Sequence, residues 1–555
     1  MDLRVAKVSP SMKPSPRSSA HRVLTVVLAS ALLPLLPSLA AAADLCQSLL
    51  RDKQPHPMTA LAKPALGAAV VDPQFGSTIR RITAVTATSG DAVIKPMYST
   101  ASAWNADESK LILYRVGRGH ELYDGRTYAF IRSLAIAPSD LEQVYWHTSD
   151  PDVFFFPSGK RLVRYRVSTS AQETVHTFST CSGSLTAGAD PMFMAWDSST
   201  IGLKCDSQVF LYKITTDKIL ASAAGTADPP QVAPSGTMAY MQGTVYDSAL
   251  RPLRRLDLAN PFDHAGLSRT AAGRDALHTV AFDGGPAGSD VGSLVTFDLG
   301  NGSSRVVVGP ATGFPYPPSG THVSTVAYRQ PGWTFLSIVG NPAGQGVLDN
   351  EIVVADTNTG VVCRAAHHRS FGGNNTRLAQ TYWAEPHVVA SPSGTRALFA
   401  SDWGNGASVD TYVLELPAHQ PLAMAVTSNR TSYIAGTPMS ISLRFDNAGG
   451  SSLTPDLYIL EVKPDGDSVS AFTPSGRRAG RLSQPAGLAS YSRLSLQAPF
   501  HVDVPGFFKY TWTGNDVPGA YTYVLLALRP GAVTDNRYDP GDVIASATVR
   551  INFAR

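Results

Sequence analysis

The stretch ASPSGTRALFASD, residues 390–402, contains a tight turn followed by a short apolar strand. Pro392 fixes φ near the start of the turn, and Gly394 accepts the positive φ that closes it. The run Ala397–Ala400 then continues with apolar residues alone, which is typical of a buried strand. The stretch therefore predicts one turn-and-strand unit of an all-β fold.

The same turn chemistry recurs along the preceding part of the chain. Six further turns precede apolar strands: Asn105–Lys110, Pro157–Lys160, Asp197–Thr200, Pro234–Thr237, Ala272–Asp275 and Gln330–Trp333. Their spacing of roughly 40 to 60 residues is the repeat length of a four-stranded propeller blade. We therefore predict a seven-bladed β-propeller over residues 71–418, after an irregular leader over 44–70. The alternative is an irregular array of β-sandwiches.

The C-terminal part of the chain has a different pattern. Met439–Phe445 alternates apolar and polar residues, and Asp456–Val462, Phe507–Trp512 and Gly519–Leu528 are further strand candidates. About seven short strands in about 130 residues are typical of an immunoglobulin-like β-sandwich. We predict such a domain over residues 421–555.

Residues 390–402 also resemble the repeat of TolB-type propellers, which typically reads S-P-D-G, then an apolar strand and a serine. The same repeat occurs in the secreted propeller family that includes the oligogalacturonate lyases. The resemblance implies a seven-bladed propeller that holds a divalent metal, typically manganese, with channel-facing histidines and a glutamine. His264, His322 and His387 are the counterparts it suggests, with His368 as a fourth; no residue matches the glutamine clearly.

The N-terminus has the features of a secretory signal peptide. A basic region is followed by the apolar stretch Val23–Leu39 and by four alanines before Asp44. We predict a signal peptide over residues 1–43 and a periplasmic or secreted mature protein; the alternative is an uncleaved membrane anchor. The rest of the chain has neither a second membrane-span candidate nor a basic run that would indicate nucleic-acid binding.

The chain has four cysteines, an even count that suits two disulfides in an exported protein. Cys181 and Cys205 lie at the ends of adjacent predicted strands, so we predict that they pair. Cys46 and Cys363 would then form the second bridge, although four cysteines allow three connectivities.

Histidines recur one short strand upstream of the turns in three successive predicted blades. His264, His322 and His387 occupy this position, and His367 and His368 lie on the connection into the last blade. Imidazoles from neighbouring blades could share one divalent transition metal such as Mn or Zn. We predict His264, His322, His368 and His387 as its ligands; the alternative is that each histidine hydrogen-bonds a loop carbonyl separately.

Aromatic, acidic and basic residues crowd the same predicted face, most densely over Tyr382–His387. Aromatic rings stack on sugars, although tryptophans also pack between blades. The predicted substrate-binding residues are Trp104, Arg118, Trp383, Glu385 and Trp403. The candidates for proton transfer are His147, His120 and Tyr382.

These patterns favour a secreted carbohydrate-active protein. We predict a metal-dependent polysaccharide lyase that acts on uronic-acid-containing glycans by β-elimination. The alternative is a non-catalytic propeller that binds a glycan, a peptide or a cell-surface partner. The sequence has no G-x-S-x-G, Walker or H-E-x-x-H motif, so it does not resemble an α/β-hydrolase, a P-loop enzyme or a zinc peptidase of that type.

Overall fold

The computed structural model is all-β, as the turn pattern predicts. It describes residues 44–555 except 86–91, 188–193, 225–227, 259, 261–263, 284, 287–288, 315–321, 418, 420–421, 448–453, 494–495, 497–499, 529, 535 and 537–542. The predicted signal peptide lies outside the described residues. Five single-turn 3-10 helices are described besides the strands: Ile214–Thr216, Pro310–Thr312, Gly372–Asn374, Thr381–Ala384 and Pro485–Gly487.

Small antiparallel sheets follow one another along the chain. The chain begins with β1 (Ala69–Val71) and β2 (Thr78–Arg81). A first group contains β3 (Ala92–Lys95), β4 (Lys110–Arg115), β5 (Gly119–Asp124) and β6 (Phe130–Ser133). The second contains β7 (Tyr145–Trp146), β8 (Val153–Ser158), β9 (Arg161–Arg166) and β10 (Ala171–Thr177). The third contains β11 (Thr200–Cys205), β12 (Gln208–Lys213) and β13 (Lys218–Ala224).

Four further groups complete this part of the chain. The fourth contains β14 (Gln231–Val232), β15 (Met238–Met241), β16 (Thr244–Asp247) and β17 (Pro252–Arg255). The fifth contains β18 (His264–Arg269), β19 (Asp275–Val280), β20 (Leu294–Asp298) and β21 (Ser304–Val308). The sixth contains β22 (His322–Ser324), β23 (Trp333–Ile338), β24 (Glu351–Asp356) and β25 (Val361–His367). The last contains β26 (Val389–Ala390), β27 (Arg396–Ser401) and β28 (Ser408–Glu415).

The first and last groups are joined through β28. This strand pairs antiparallel with β2, with Thr78 opposite Glu415, and parallel with β3, with Ser408 opposite Ala92. The N-terminal strands therefore close the last group. Arg396 on β27 strengthens the junction, because its guanidinium donates to Glu108 Oε2 at 2.7 Å.

The C-terminal part forms two sheets. Its strands are β29 (Leu422–Ser428), β30 (Ser432–Tyr433), β31 (Pro438–Asn447), β32 (Asp456–Val462), β33 (Ser468–Thr473), β34 (Gly476–Arg481), β35 (Ser492–Arg493), β36 (Phe500–Thr511), β37 (Gly519–Leu528) and β38 (Val543–Phe553). One sheet has the order β29-β31-β36, and the other has β30-β38-β37-β32-β33-β34 with β35 beside β32. Between them Trp512 stacks on Phe553 at 4.6 Å. The predicted alternation over Met439–Phe445 is confirmed by the burial of every second residue.

Both predicted disulfides are present, Cys46–Cys363 and Cys181–Cys205, each with Cα atoms 5.7 Å apart. The first bridge fixes the leader, which forms no strand before Ala69, onto β25. Gly394 has a φ of +69°, and a Cβ there would lie 2.6 Å from Leu45 of the leader. The turn in 390–402 therefore needs glycine both for its backbone and for the space that the leader occupies. Among the described residues, no helix has the length and apolar character needed to cross a membrane.

Candidate metal centre

Three histidines lie at the start of the first strand in three successive sheets. His264 is the first residue of β18, His322 is the first of β22, and His387 lies two residues before β26. The ring of His322 is 4.2 Å from that of His264 and 4.1 Å from that of His387, measured between centroids. Residues distant in sequence thus form one row of imidazoles.

A carboxylate joins two of these histidines. Potential ligand atoms of His322, Glu385 and His387 all lie within 4.8 Å of one another. Glu385 Oε2 is 3.8 Å from His322 Nε2 and 4.0 Å from His387 Nε2. Two imidazole nitrogens and one carboxylate oxygen form a donor set that suits a divalent transition metal.

The orientation of His387 is fixed by its own loop. Its Nδ1 donates to the carbonyl of Glu385 at 2.8 Å, which leaves the lone pair on Nε2. This Nε2 is buried and has no hydrogen-bond partner among the described residues. Burial lowers the pKa of His387 well below its ordinary value, and the charge of Lys95 lowers it further. A neutral imidazole with an unused buried lone pair is the form that ligates a metal, so the residues present fit one.

The backbone at His387 is strained. Its φ of +43° lies in the left-handed region, which a residue with a side chain seldom adopts. Such a conformation costs on the order of 1–3 kcal/mol and persists only where the surroundings enforce it. Here the conformation accompanies an imidazole that is turned toward Glu385 and His322.

Aromatic rings surround the imidazoles. Tyr98 presents its edge to His322 at 5.3 Å and lies 5.3 Å from His387. Tyr382 contacts His387 at 4.9 Å, and Phe282 contacts His264 at 4.7 Å. Such surroundings lower the local dielectric and strengthen electrostatic interactions inside the site.

Lys95, the last residue of β3, places a positive charge beside this group. Its Nζ lies 4.9 Å from the ring centre of Tyr382 and 5.4 Å from that of Trp383. Burial lowers the pKa of Lys95 to about 8, although the charges of Glu142 and Glu385 oppose this shift. Burial in turn raises the pKa of Glu385, and Lys95 opposes that shift.

Six of the predicted site residues are brought together here: His264, His322, Tyr382, Trp383, Glu385 and His387. Glu385 was predicted as a substrate-binding residue, but it lies among the possible metal ligands. His368 does not join them. Its Nε2 donates to the Ile338 carbonyl at 2.9 Å and its Nδ1 accepts from the Ser370 amide at 3.0 Å. Both nitrogens are therefore used by the backbone, and neither is turned toward a metal.

The two other histidines predicted for proton transfer have local roles. His120 is buried and its Nε2 donates to the carbonyl of Leu141 at 2.7 Å. His147 Nδ1 accepts from the amides of Ser149 and Asp150 at 3.2 and 3.0 Å, as a turn cap does. Tyr382 is the one of the three candidates that contacts the imidazole row.

Two predicted substrate-binding tryptophans have packing roles instead, Trp104 fully buried and Trp403 partly buried. Trp104 is 0% exposed, donates to the Gly125 carbonyl and packs under the guanidinium of Arg396. Trp403 stacks on Tyr412 at 4.8 Å and donates to a carbonyl of the leader. Both rings pack against other side chains of the protein. Arg118 is exposed on the hairpin between β4 and β5, where the structure gives it no contact with the imidazole row.

Sequence reasoning missed Lys95, Tyr98 and Glu142. Glu142 lies three residues before β7, the first strand of the second sheet group, whereas His264 and His322 are the first residues of β18 and β22. The repeat therefore did not single out Glu142. No sequence signal distinguishes Lys95, because it ends an otherwise apolar strand and its neighbours Tyr382 and Trp383 are distant in the chain.

Comparison with known proteins finds distant structural likenesses. No family model and no curated protein matches the chain. Among solved structures, an oligogalacturonate lyase from Vibrio parahaemolyticus is 12% identical, with a TM-score of 0.45, and the match covers 63% of this chain and 96% of that chain. A chain of a mitotic checkpoint complex is 10% identical, with a TM-score of 0.38 and coverage of 64% and 98%.

Proposed function

We propose that this protein is a divalent-metal-dependent lyase that cleaves uronic-acid-containing glycans by β-elimination. The observation that carries the proposal is the group of His322, Glu385 and His387, with an unused buried lone pair on His387 Nε2. An exposed aromatic residue, Tyr382, lies directly beside it.

The proposed architecture is a seven-bladed propeller followed by an immunoglobulin-like sandwich. Seven successive groups of antiparallel strands, with β2 closing the last, support the propeller. The meeting of three histidines from the first strands of different groups is the arrangement expected where blades surround a common axis. Two sheets that share one apolar core support the sandwich.

The metal ligands in this proposal are His322, His387 and Glu385, with His264 as the adjacent fourth candidate. A divalent cation held there would bind a uronate carboxylate and make the neighbouring C–H more acidic. The chain itself supplies the neutral imidazole of His387 and a largely buried environment. Tyr98 and Tyr382 keep the imidazoles packed on one side.

In β-elimination a base removes the proton next to the carboxylate, a C=C bond forms, and the glycosidic C–O bond breaks. The leaving oxygen then takes up a proton. Tyr382 is our candidate for a proton transfer, because its hydroxyl is near the imidazole row and donates to Glu142 Oε1 at 3.4 Å. A positioned acid or base contributes typically 10²–10⁴-fold to the rate.

The proposed partner is an acidic polysaccharide outside the cytoplasm, in the periplasm or the medium. Two disulfides support this location, since such bonds persist mainly in oxidising compartments.

The test is an assay of the mature protein, loaded with Mn²⁺ or Zn²⁺, on polygalacturonate and alginate, with ultraviolet absorbance reporting unsaturated uronates. We expect product from the wild type and a loss of about 100-fold or more in Tyr382→Phe and His387→Ala. His147→Ala, whose histidine caps a turn elsewhere, is the matched control and should retain activity.

No product on any acidic polysaccharide, or activity that persists after chelation, would overturn the lyase proposal. Binding of the polysaccharide without product would favour the non-catalytic scaffold.

A further inference from the structure

Within the described part of the chain, the buried Lys95 lacks the hydrogen-bond partner that a buried lysine normally has. The side chain is 0% exposed, and its Nζ makes no hydrogen bond among the described residues. Lysine is almost never fully buried unless it is paired, because desolvating an ammonium is costly. A lysine retained for folding alone would be expected to donate to a nearby carboxylate. Among the described residues these donors are unused, so they suit an acceptor carried by a ligand.

Two aromatic rings cover Lys95, and one of them, Tyr382, is partly exposed to solvent. Nζ lies over the rings of Tyr382 and Trp383, whose faces offset part of the desolvation cost. Tyr382 is 38% exposed and belongs to the single-turn helix Thr381–Ala384. The ammonium of Lys95 is therefore in contact with a ring that is partly exposed to solvent. The Tyr382 ring also contacts His387 at 4.9 Å, so it lies against both Lys95 and the candidate metal centre.

The net charge of Lys95, Glu142 and Glu385 would change sign if a divalent cation were bound. Lys95 has two acidic neighbours, Glu142 and Glu385, so without a metal the three side chains are net negative. Glu385 is also a proposed metal ligand. A divalent cation would make the group net positive, and an anion would then be favoured beside it.

We propose that Lys95 is a specificity-determining residue of this site, whose ammonium pairs with a carboxylate of an acidic glycan and selects uronic-acid residues over neutral sugars. This inference rests on the proposed function, because it places the ligand of Lys95 in the same cleft as the metal. Charge-assisted hydrogen bonds from an ammonium in a dry site are short and strong, so the discrimination should be large.

The test is isothermal titration of the metal-loaded protein with a galacturonate trisaccharide and with its methyl ester, which lacks the charge. We expect the wild type to bind the acid at least about tenfold more tightly than the ester. Lys95→Gln should lose most of this preference, Lys95→Arg should keep part of it, and Lys160→Gln, at an exposed turn, should keep all of it. The metal content should be the same in all four proteins.

Lys95→Met is a second neutral variant in case Lys95→Gln does not fold, because an apolar chain of similar volume suits the aromatic cover. Equal affinity of the wild type for acid and ester would overturn the assignment, and so would a full preference in either neutral variant. The assay for unsaturated product tests the lyase proposal separately from the binding preference. A wild type that prefers the acid through Lys95 but forms no unsaturated product would lack the lyase activity and keep the anion site.

Discussion

The rings of His322 and His387 lie 4.1 Å apart, and Glu385 Oε2 is within 4.0 Å of an Nε2 atom of both. The two histidines belong to different sheets, so only the tertiary fold brings them together. Two buried imidazole nitrogens and one partly buried carboxylate oxygen are not explained by packing alone, because burying polar groups costs free energy.

Glu385→Gln should weaken metal binding, because an amide oxygen replaces a carboxylate oxygen in the donor set. We expect the affinity for Mn²⁺ or Zn²⁺ to fall at least about tenfold, measured by competition with a chelator of known affinity. Glu173→Gln is the control, since Glu173 lies on an exposed strand and pairs only with Arg164 among the ion pairs of the described residues. Equal metal affinity in Glu385→Gln and the wild type would exclude Glu385 as a ligand.

Arg396 and Glu108 should contribute strongly to stability. Their side chains are 5% and 10% exposed, and they join the first and last sheet groups. Removing one partner leaves a buried charge, which costs about 3–5 kcal/mol. We expect Arg396→Met and Glu108→Gln each to lower the free energy of unfolding by this amount in urea titrations, with a smaller loss in the double variant. Losses below about 0.5 kcal/mol would show that the pair is not needed at this junction.

The Cys46–Cys363 bridge should stabilise the protein more than Cys181–Cys205 does. The bridges close loops of 317 and 24 residues respectively. The chain-entropy account then predicts a loss about 2 kcal/mol larger for the alanine double variant of the first pair. Chemical denaturation of both double variants measures the difference. A larger loss from the short loop would contradict this account.

His278 should make the protein less stable in mild acid. Burial lowers the pKa of His278 to about 3, and its nitrogens lie 2.6 Å from Ser268 Oγ and 2.9 Å from Thr296 Oγ1. The unfolded chain takes up a proton near pH 6.5 while the folded chain does not, so stability is full above about pH 6.5 and declines as the pH falls toward about 3.

His278→Gln removes this linkage and keeps a group that can hydrogen-bond. We expect the loss of unfolding free energy on acidification to be smaller in the variant, by up to about 1.4 kcal/mol per pH unit. Urea titrations at about pH 7 and about pH 4.5 measure it. Parallel pH profiles of variant and wild type would contradict the assignment of His278 as a buried neutral imidazole.

The repeat of turns and strands predicts much of the fold and part of the candidate site. It placed His264, His322 and His387 at equivalent positions, and equivalent positions converge when similar sheets are arranged side by side. The Cys181–Cys205 bridge followed from the order of the strands, and Cys46–Cys363 followed by elimination. Lys95 was missed because its neighbours come from the other end of the chain, through the pairing of β3 with β28.

The tryptophans show a different limit of sequence reasoning. The ring of Trp104 is covered by Arg396, which lies far along the chain, and that of Trp403 donates to Leu61 of the leader. A tryptophan that packs and one that stacks on a sugar have the same sequence context. Only the tertiary contacts separate the two roles.

The most direct test of the central claim is elemental analysis of the purified mature protein, comparing the wild type with His322→Ala and His387→Ala after incubation with Mn²⁺, Zn²⁺ or Ni²⁺ and dialysis. The account predicts about one equivalent of a transition metal in the wild type, as one shared donor set implies, and its loss in both variants. A wild type without metal, or variants that retain it, would contradict the account.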